Sequence, residues 1–290
     1  MYPPAAPAGS LLAVCAPSSP APRKEILGGL AWLRMRYRVR LTRSVVGRCG
    51  YLAATDTERA DDFARAMLDP AVSAIVCSRG GYGAMRIVDK LPWDAFARAP
   101  KWIVGFSDVT ALHAMANAHG IASIHGPNVT GLGRSITPFE RQAFIDALER
   151  AKAPRRWSGL TILSRGRARG TLVGGNLTVA CAMAAGCRFV VPPGAILVLE
   201  DVTERPYRID RMLTSLALGG HLARASAIVF GSFTQCDPAE DGVTVADVLS
   251  DRTCHLGVPV VMNAPFGHGA KNEAFVLGSE ATLEADTLSF

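Results

Sequence analysis

Lys101-Trp102-Ile103-Val104-Gly105-Phe106-Ser107-Asp108-Val109-Thr110-Ala111-Leu112 holds a strand, a turn and the start of a helix in twelve residues. Ile103-Val104 is a β-branched apolar pair, which favours a buried strand. Val109, Leu112 and Met115 then recur on one side of a helix, and Gly120 ends it. A serine at a sharp strand-to-helix turn is held off the strand ladder, with its hydroxyl outward. The first helical amides lie beside it, where negative charge is favoured. That is the geometry of a nucleophile elbow, although Gly105-Phe106-Ser107-Asp108 lacks the second glycine of G-x-S-x-G. The same residues also read as an ordinary helix start, with Ser107 or Asp108 capping the helix from Val109. The stretch alone leaves both readings open.

Outward from it, strands alternate with helices. Ser10 to Cys15 reads as a strand, Arg23 to Met35 as a helix, and Tyr37 to Leu41 as a second strand. Thr55 and Glu58 form a capping-box pair, opening a helix that runs to Pro70. Val72 to Cys77, Trp102 to Gly105 and Ile121 to His125 are further strands. This alternation predicts an α/β fold, with a Rossmann-like parallel sheet wound with helices on both faces. Sites in such sheets lie outside the carboxyl ends of strands. Ser107, the Gly80-Gly81 loop and His125 all fall at such ends. We expect this N-terminal domain over residues 1–137 and a crossing segment, rich in arginine, over 138–169. A smaller mixed α/β domain is expected over 170–290. Its elements are strands at Ile196–Glu200, Ala227–Phe230 and Val258–Met262, helices at Tyr207–Leu216 and Val243–Leu249, and a closing hairpin from Ala274–Leu277 and Ala281–Glu284.

Of the 290 residues, 49% are apolar and 19% charged, a composition of folded globular domains. No apolar run approaches a membrane span. No basic residue precedes Leu11–Cys15, so the N-terminus does not read as a secretory signal, and a cytoplasmic location is expected. The seven cysteines are odd in number and form no C-x-x-C. They read as free thiols, not as a disulfide framework or a zinc site. The six histidines show no metal-ligand spacing. Neither metal nor cofactor is expected. The net charge is +6, with arginine clusters at 34–43 and 155–169. No nucleic-acid-binding motif accompanies them, so they read as solvated faces, and no nucleic-acid partner is expected.

Three signals carry chemistry. Ser107 is the first. The second is Ile196-Leu197-Val198-Leu199-Glu200-Asp201, an apolar strand ending in two carboxylates. The third is Gly267-His268-Gly269, a histidine between glycines after a buried strand. Such a loop suits binding or catalysis as well as it suits a plain surface turn. Together they supply a nucleophile, an imidazole base and a carboxylate to orient it, the roles of a triad in the order Ser, Glu, His. Ser78-Arg79-Gly80-Gly81-Tyr82-Gly83 is neither a P-loop nor G-x-G-x-x-G. It could instead bring a backbone amide close to a reacting carbonyl, because glycine has no Cβ in the way.

This ordered set resembles the LD-carboxypeptidase family, the muramoyltetrapeptide carboxypeptidases and related microcin-immunity serine peptidases. The likeness also draws on Ala16-Pro17-Ser18, His125-Gly126-Pro127, Gly174-Gly175-Asn176-Leu177 and Pro206-Tyr207-Arg208-Ile209-Asp210-Arg211, and runs from about Leu11 to Leu277. It implies a catalytic triad of Ser107, His268 and Glu200. It also implies an oxyanion hole from the amides near Gly81 and Asp108, and a cytoplasmic homodimer acting in peptidoglycan recycling. The implied substrate is a murein tetrapeptide, from which the enzyme releases terminal D-alanine across an L-to-D bond. Arg79 is a candidate for binding the substrate's free carboxylate, with a structural ion pair as the alternative. Tyr82, Asn176 and Arg208 are candidates for lining the site, and the residues around Arg208 also read as knitting the C-terminal domain together. Two other readings stand beside this one: the same triad acting on peptidyl-nucleotide antibiotics, and a non-catalytic nucleotide-binding module, against which the missing phosphate motif counts.

Overall fold

The computed structural model describes every residue from Met1 to Phe290 except Ser135. The chain forms two compact units, Met1–Ala153 with Glu273–Val276, and Pro154–Asn272 with Leu277–Phe290.

In the first unit β1 (Leu11–Cys15), β2 (Arg38–Leu41), β3 (Ala74–Cys77), β4 (Trp102–Gly105) and β5 (Ser123–His125) run parallel. The order across the sheet is the strand Phe275–Leu277, then β5, β4, β3, β1 and β2. Every residue of β1, β3 and β4 is buried, as expected of parallel strands covered on both faces. The edge strand β2 points Arg38 and Arg40 to solvent, and charge on an edge discourages further pairing. The chain goes from β1 outward to β2 and then crosses back to β3 on the other side of β1. The loops after β1 and β3 therefore flank the point where the winding reverses, the usual place for a ligand crevice. The predicted capping box of Thr55 and Glu58 is present.

Two buried side chains tie this unit together. Trp102 is fully buried and its Nε1 donates to the Pro4 carbonyl at 2.8 Å, so the indole anchors the N-terminal Pro-rich lead. His113, also fully buried, has Nε2 2.9 Å from the Gly105 carbonyl and Nδ1 2.9 Å from the Ser123 hydroxyl. A carbonyl only accepts, so Nε2 carries the proton and Nδ1 accepts from Ser123. One neutral imidazole thus joins the end of β4 to β5.

The second unit holds a mixed sheet. Its strands are β6 (Arg156–Trp157), β7 (Thr161–Ser164), β8 (Arg167–Asn176), β9 (Ala195–Val202), β10 (Ala225–Thr234), β11 (Val260–Met262), β13 (Glu280–Glu284) and β14 (Thr287–Ser289), where β12 denotes Phe275–Leu277. The order is β6-β14-β13-β8-β9-β10-β11-β7. The middle strands β8 to β11 are parallel and the outer pairings antiparallel.

The structure corrects two sequence expectations. Residues 138–169 are not a crossing segment: the helix Pro138–Glu149 belongs to the first unit, and β6, β7 and the start of β8 belong to the second. Arg167 and Arg169 face solvent on β8, with Glu284 and Glu280 across the ladder at 3.8 and 3.5 Å. A half-solvated antiparallel strand can carry such charges, and they hid it. The closing hairpin is β13–β14 and not β12–β13, because β12 sits at the edge of the first sheet. The turn passes through Ala285 at φ 51°, without the Asn-Gly or Asp-Gly signature of a tight hairpin.

Burial pushes the His113 pKa down to about 4. An unfolded histidine titrates near 6.5, so the unfolded chain takes up a proton that the folded one refuses. This contribution is intact above pH ~6.5 and is lost as pH falls towards 4, by up to roughly 3 kcal/mol. Denaturant titrations of wild type and His113→Gln between pH 7.5 and 4 check it: the variant is less stable at neutral pH, and its stability falls less steeply through that window.

Candidate active site

In the first unit Ser107 opens a short turn, Ser107–Val109, that leads into the helix Thr110–Ala118. Its φ is 66°, a left-handed conformation that costs a residue with a Cβ about 1 to 3 kcal/mol. The helix-cap reading fails here. Phe106 and Val109 occupy the cap positions, and neither makes a side-chain cap bond. The buried Asp108 carboxylate instead accepts the Ala84 amide at 2.8 Å. Burial pushes its pKa up, and the Ala84 amide and nearby Arg59 charge oppose that shift.

The Gly80-Gly81 loop lies against this turn. A Cβ on Gly80 would fall 2.8 Å from the Ser107 Cβ and 2.9 Å from its Oγ. Gly81 has φ 103°, and a Cβ there would fall 2.5 Å from Ser19 Oγ. Glycine is required at both places for two loops to approach by backbone alone. Ser19 Oγ accepts the Tyr82 amide at 3.2 Å. The amides of Gly81 and Asp108 donate to no partner among the described residues. Arg79 Nη1 donates to the Pro20 carbonyl at 2.9 Å. The Tyr82 ring is half-exposed, 5.9 Å from that of Tyr51.

In the second unit Glu200 is fully buried on β9. Its Oε2 lies 2.7 Å from His268 Nδ1 and also accepts the His268 amide at 3.2 Å. Parallel register sets Asn176 of β8 beside Glu200, and Asn176 Nδ2 reaches Oε1 at 3.3 Å. Each of these three neighbours donates, so Nδ1 of His268 carries a proton, and in the neutral imidazole the lone pair is then on Nε2. The sequence placed Glu200 and Asp201 at the end of a strand, but β9 runs on to Val202. Successive residues of a strand face opposite ways. Asp201 accordingly accepts the amide and hydroxyl of Thr178 at 2.9 and 2.8 Å, and Asn176 Nδ2 at 2.9 Å. Burial raises the Asp201 pKa, and the bond from Thr178 opposes this.

The histidine loop is held by its backbone. Gly267 has φ 113°, and a Cβ there would lie 2.6 Å from Glu200 Oε2. Its amide donates to Asn272 Oδ1 at 3.2 Å, and the Gly269 amide to Ser232 Oγ at 2.9 Å. Opposite Glu200, β10 bulges: two residues, Gly231 and Ser232, span the step that β9 makes with one. A Cβ on Gly231 would meet the Phe266 carbonyl at 2.6 Å, so the bulge admits the loop.

The first unit thus gathers Ser107, Asp108, Gly81, Arg79 and Tyr82, and the second gathers Glu200, His268 and Asn176. Arg208 stands on the exposed face of the helix Pro206–Leu218, 3.1 Å from the Tyr207 hydroxyl and 3.6 Å from Glu204.

Comparison with known proteins identifies the family. The sequence profile of the LD-carboxypeptidase N-terminal domain matches residues 12–126, and that of the C-terminal domain matches residues 169–283. The chain belongs to the LD-carboxypeptidase family. A relative from Synechocystis sp. is 42% identical over 89% of this chain and 86% of its own length. The murein tetrapeptide carboxypeptidase of Pseudomonas aeruginosa is 36% identical over 86% of this chain and 84% of its own. The crystal structure of a muramoyltetrapeptide carboxypeptidase from Oxalobacter formigenes has a TM-score of 0.86 and 27% identity, covering 97% of both chains.

This LD-carboxypeptidase is therefore a serine-type hydrolase. Among its described residues no three His, Cys, Asp or Glu side chains could hold a metal ion together, and no helix is long and apolar enough to cross a membrane. Sequence reasoning passed over Ser19, Ser232 and Asn272, which hold the glycine loops. Asn272 lies in the same glycine-rich run as His268, and an amide side chain there was a usable signal. Ser232 had none, because it acts through a bulge.

The backbone of Ser107 yields a sharp test. Ser107→Gly removes the Cβ that makes φ 66° costly, and should stabilise the fold by about 1 kcal/mol. Ser107→Ala keeps the Cβ and should leave stability nearly unchanged. Chemical denaturation separates this from a helix cap, for which the alanine variant would lose about 1 kcal/mol.

Proposed function

We propose that the protein is a murein tetrapeptide carboxypeptidase that releases terminal D-alanine by cutting the L-to-D bond. The observation that carries this reading is the buried Glu200 carboxylate on His268 Nδ1, at 2.7 Å, in a chain whose family cleaves such bonds. In this reading Ser107 is the nucleophile, His268 the base and Glu200 the group that orients it. The chemistry requires His268 Nε2 to reach the Ser107 hydroxyl when substrate is bound.

Ser107 Oγ attacks the carbonyl of the third residue, and its proton passes to His268 Nε2. Glu200 stabilises the imidazolium. The Gly81 and Asp108 amides receive the developing oxyanion, and loss of one such donor costs about 3 kcal/mol. His268 then protonates the D-alanine amine as it leaves. Water, deprotonated by the same imidazole, releases the tripeptide from Ser107. Arg79 retains N–H groups beyond the one on Pro20, and in this proposal they bind the substrate carboxylate, with Tyr82 alongside. Asn176 orients Glu200 instead of touching substrate, because its amide is spent on Glu200 and Asp201. We further infer a cytoplasmic homodimer serving peptidoglycan recycling, on the family resemblance. Sedimentation as a monomer at micromolar concentration, or a periplasmic location on fractionation, would overturn those two parts.

The pure protein incubated with tetrapeptides ending in D-alanine, with diaminopimelate or lysine third, should release D-alanine, and the all-L counterpart should be inert. Mass spectrometry reads both, with a peptidyl-nucleotide arm alongside. Turnover of that arm alone would reassign the substrate. Glu200→Gln, which keeps size but not charge, should lower kcat by roughly 10³- to 10⁴-fold.

A further inference from the structure

Arg59 is a fully buried arginine that the chemistry above does not use. It projects from the helix Asp56–Leu68 into the crest of the first sheet. Its Nη1 donates to the Pro17 carbonyl and to the Gly83 carbonyl, the latter at 2.9 Å. Its Nε donates to the Ala54 carbonyl at 3.2 Å, and Nη2 to Asp56 Oδ1 at 2.5 Å. The three carbonyls belong to three loops: the one after β1, the one after β3, and the one leading into the helix. The first two flank the point where the winding reverses. A Cβ on Gly83 would fall 2.9 Å from Nη1, so the glycine loop is shaped around the guanidinium.

Burying a guanidinium is costly unless its donors are matched. A plain staple for a helix would not need carbonyls from three loops. One further bond shows what they hold. Gly83 is followed by Ala84, whose amide goes to the Asp108 carboxylate at 2.8 Å. Arg59 therefore fixes one side of the Gly80–Gly83 loop to the β1 loop, and Asp108 fixes the next residue to the serine turn. The Gly81 amide lies just before both restraints, and on its other side the Ser19 amide donates to the Gly80 carbonyl at 3.3 Å.

We propose that Arg59 is a positioning residue for the oxyanion site: it sets the glycine loop so that the Gly81 amide faces the carbonyl attacked by Ser107. This rests on the assignment of Gly81 as an oxyanion donor. The planar fork is essential to the role. A lysine has the charge but a single nitrogen, which cannot span carbonyls on separate loops.

The test compares wild type, Arg59→Lys and Arg59→Gln on the tetrapeptide that wild type accepts, at a temperature where each is folded. The second probe is a tripeptide aldehyde matching the acyl part of that substrate. It adds the Ser107 hydroxyl across its C=O to form a hemiacetal, whose oxygen occupies the oxyanion position. The expected result is a kcat lower by roughly 10- to 100-fold in Arg59→Lys, with KM within about threefold, and a matching loss of aldehyde affinity. A purely structural role predicts lower thermal stability with kcat per titrated active site and aldehyde affinity unchanged, and that result overturns the proposal. If neither variant folds, the wild-type protein decides by NMR of the Arg59 guanidinium protons. They should shift when the hemiacetal forms, and unchanged signals overturn the proposal. Absence of D-alanine release by wild type would instead defeat the functional reading itself, so the two failures are distinct.

Discussion

At the end of β4 Ser107 holds a φ of 66°, and the bonds of the residues on either side of it bear on keeping that conformation. A relaxed chain would turn back to negative φ and recover about 1 to 3 kcal/mol. It is prevented on both sides. Before the turn, the Gly105 carbonyl accepts His113 Nε2 at 2.9 Å and the Gly126 amide at 3.1 Å, so the strand end cannot rotate. After it, Asp108 is buried and bonded to Ala84. Strain persists where the surroundings over-determine the backbone, and here the fully buried strands β1, β3 and β4 supply that surplus.

The second unit stores its cost differently. Glu200 is a carboxylate without solvent contact, a state that is unfavourable by several kcal/mol unless donors replace the lost water. The replacements come from three directions: the His268 ring, the His268 amide and the Asn176 amide. Two of the three belong to the residue whose orientation matters. The carboxylate thus fixes the imidazole plane and its tautomer with the same bonds that make its own burial tolerable. The β10 bulge at Gly231-Ser232 is the fold's accommodation, since a regular strand would exclude the Phe266–Gly269 loop.

Much of this was legible in the sequence, and the parts that were not have physical causes. Parallel strands buried on both faces read as plain apolar runs, so β1, β3 and β4 stood out, and with them the serine turn. Glu200 and His268 were visible as polar residues in places that packing alone does not call for. β8 was hidden because Arg167 and Arg169 pair with glutamates on a strand distant in sequence. The β13–β14 hairpin was hidden because its turn uses Ala285 where asparagine or glycine would have announced it. The choice between cap and elbow at Ser107 could not be made locally at all. It depends on whether the side chain bonds back to the helix, and that depends on Gly80, which sits a whole helix and strand upstream.

One device recurs in both units. At Gly80, Gly81 and Gly267 the absent Cβ leaves room for a reactive group and not for solvent: Ser107, Ser19 Oγ and the Glu200 carboxylate lie within 2.9 Å of where those atoms would be. Gly81 and Gly267 also carry positive φ, while Gly80 does not. Alanine would therefore fail at Gly80 by collision alone, and at the other two by collision and backbone strain together. A flexible loop with glycines would lose orientation, but these are not free. Ser19, Ser232 and Asn272 each take up an amide of the loop they face. The glycines admit the close approach and the small polar side chains remove the freedom that comes with it. That pairing lets a loop hold an amide or an imidazole as firmly as a strand would.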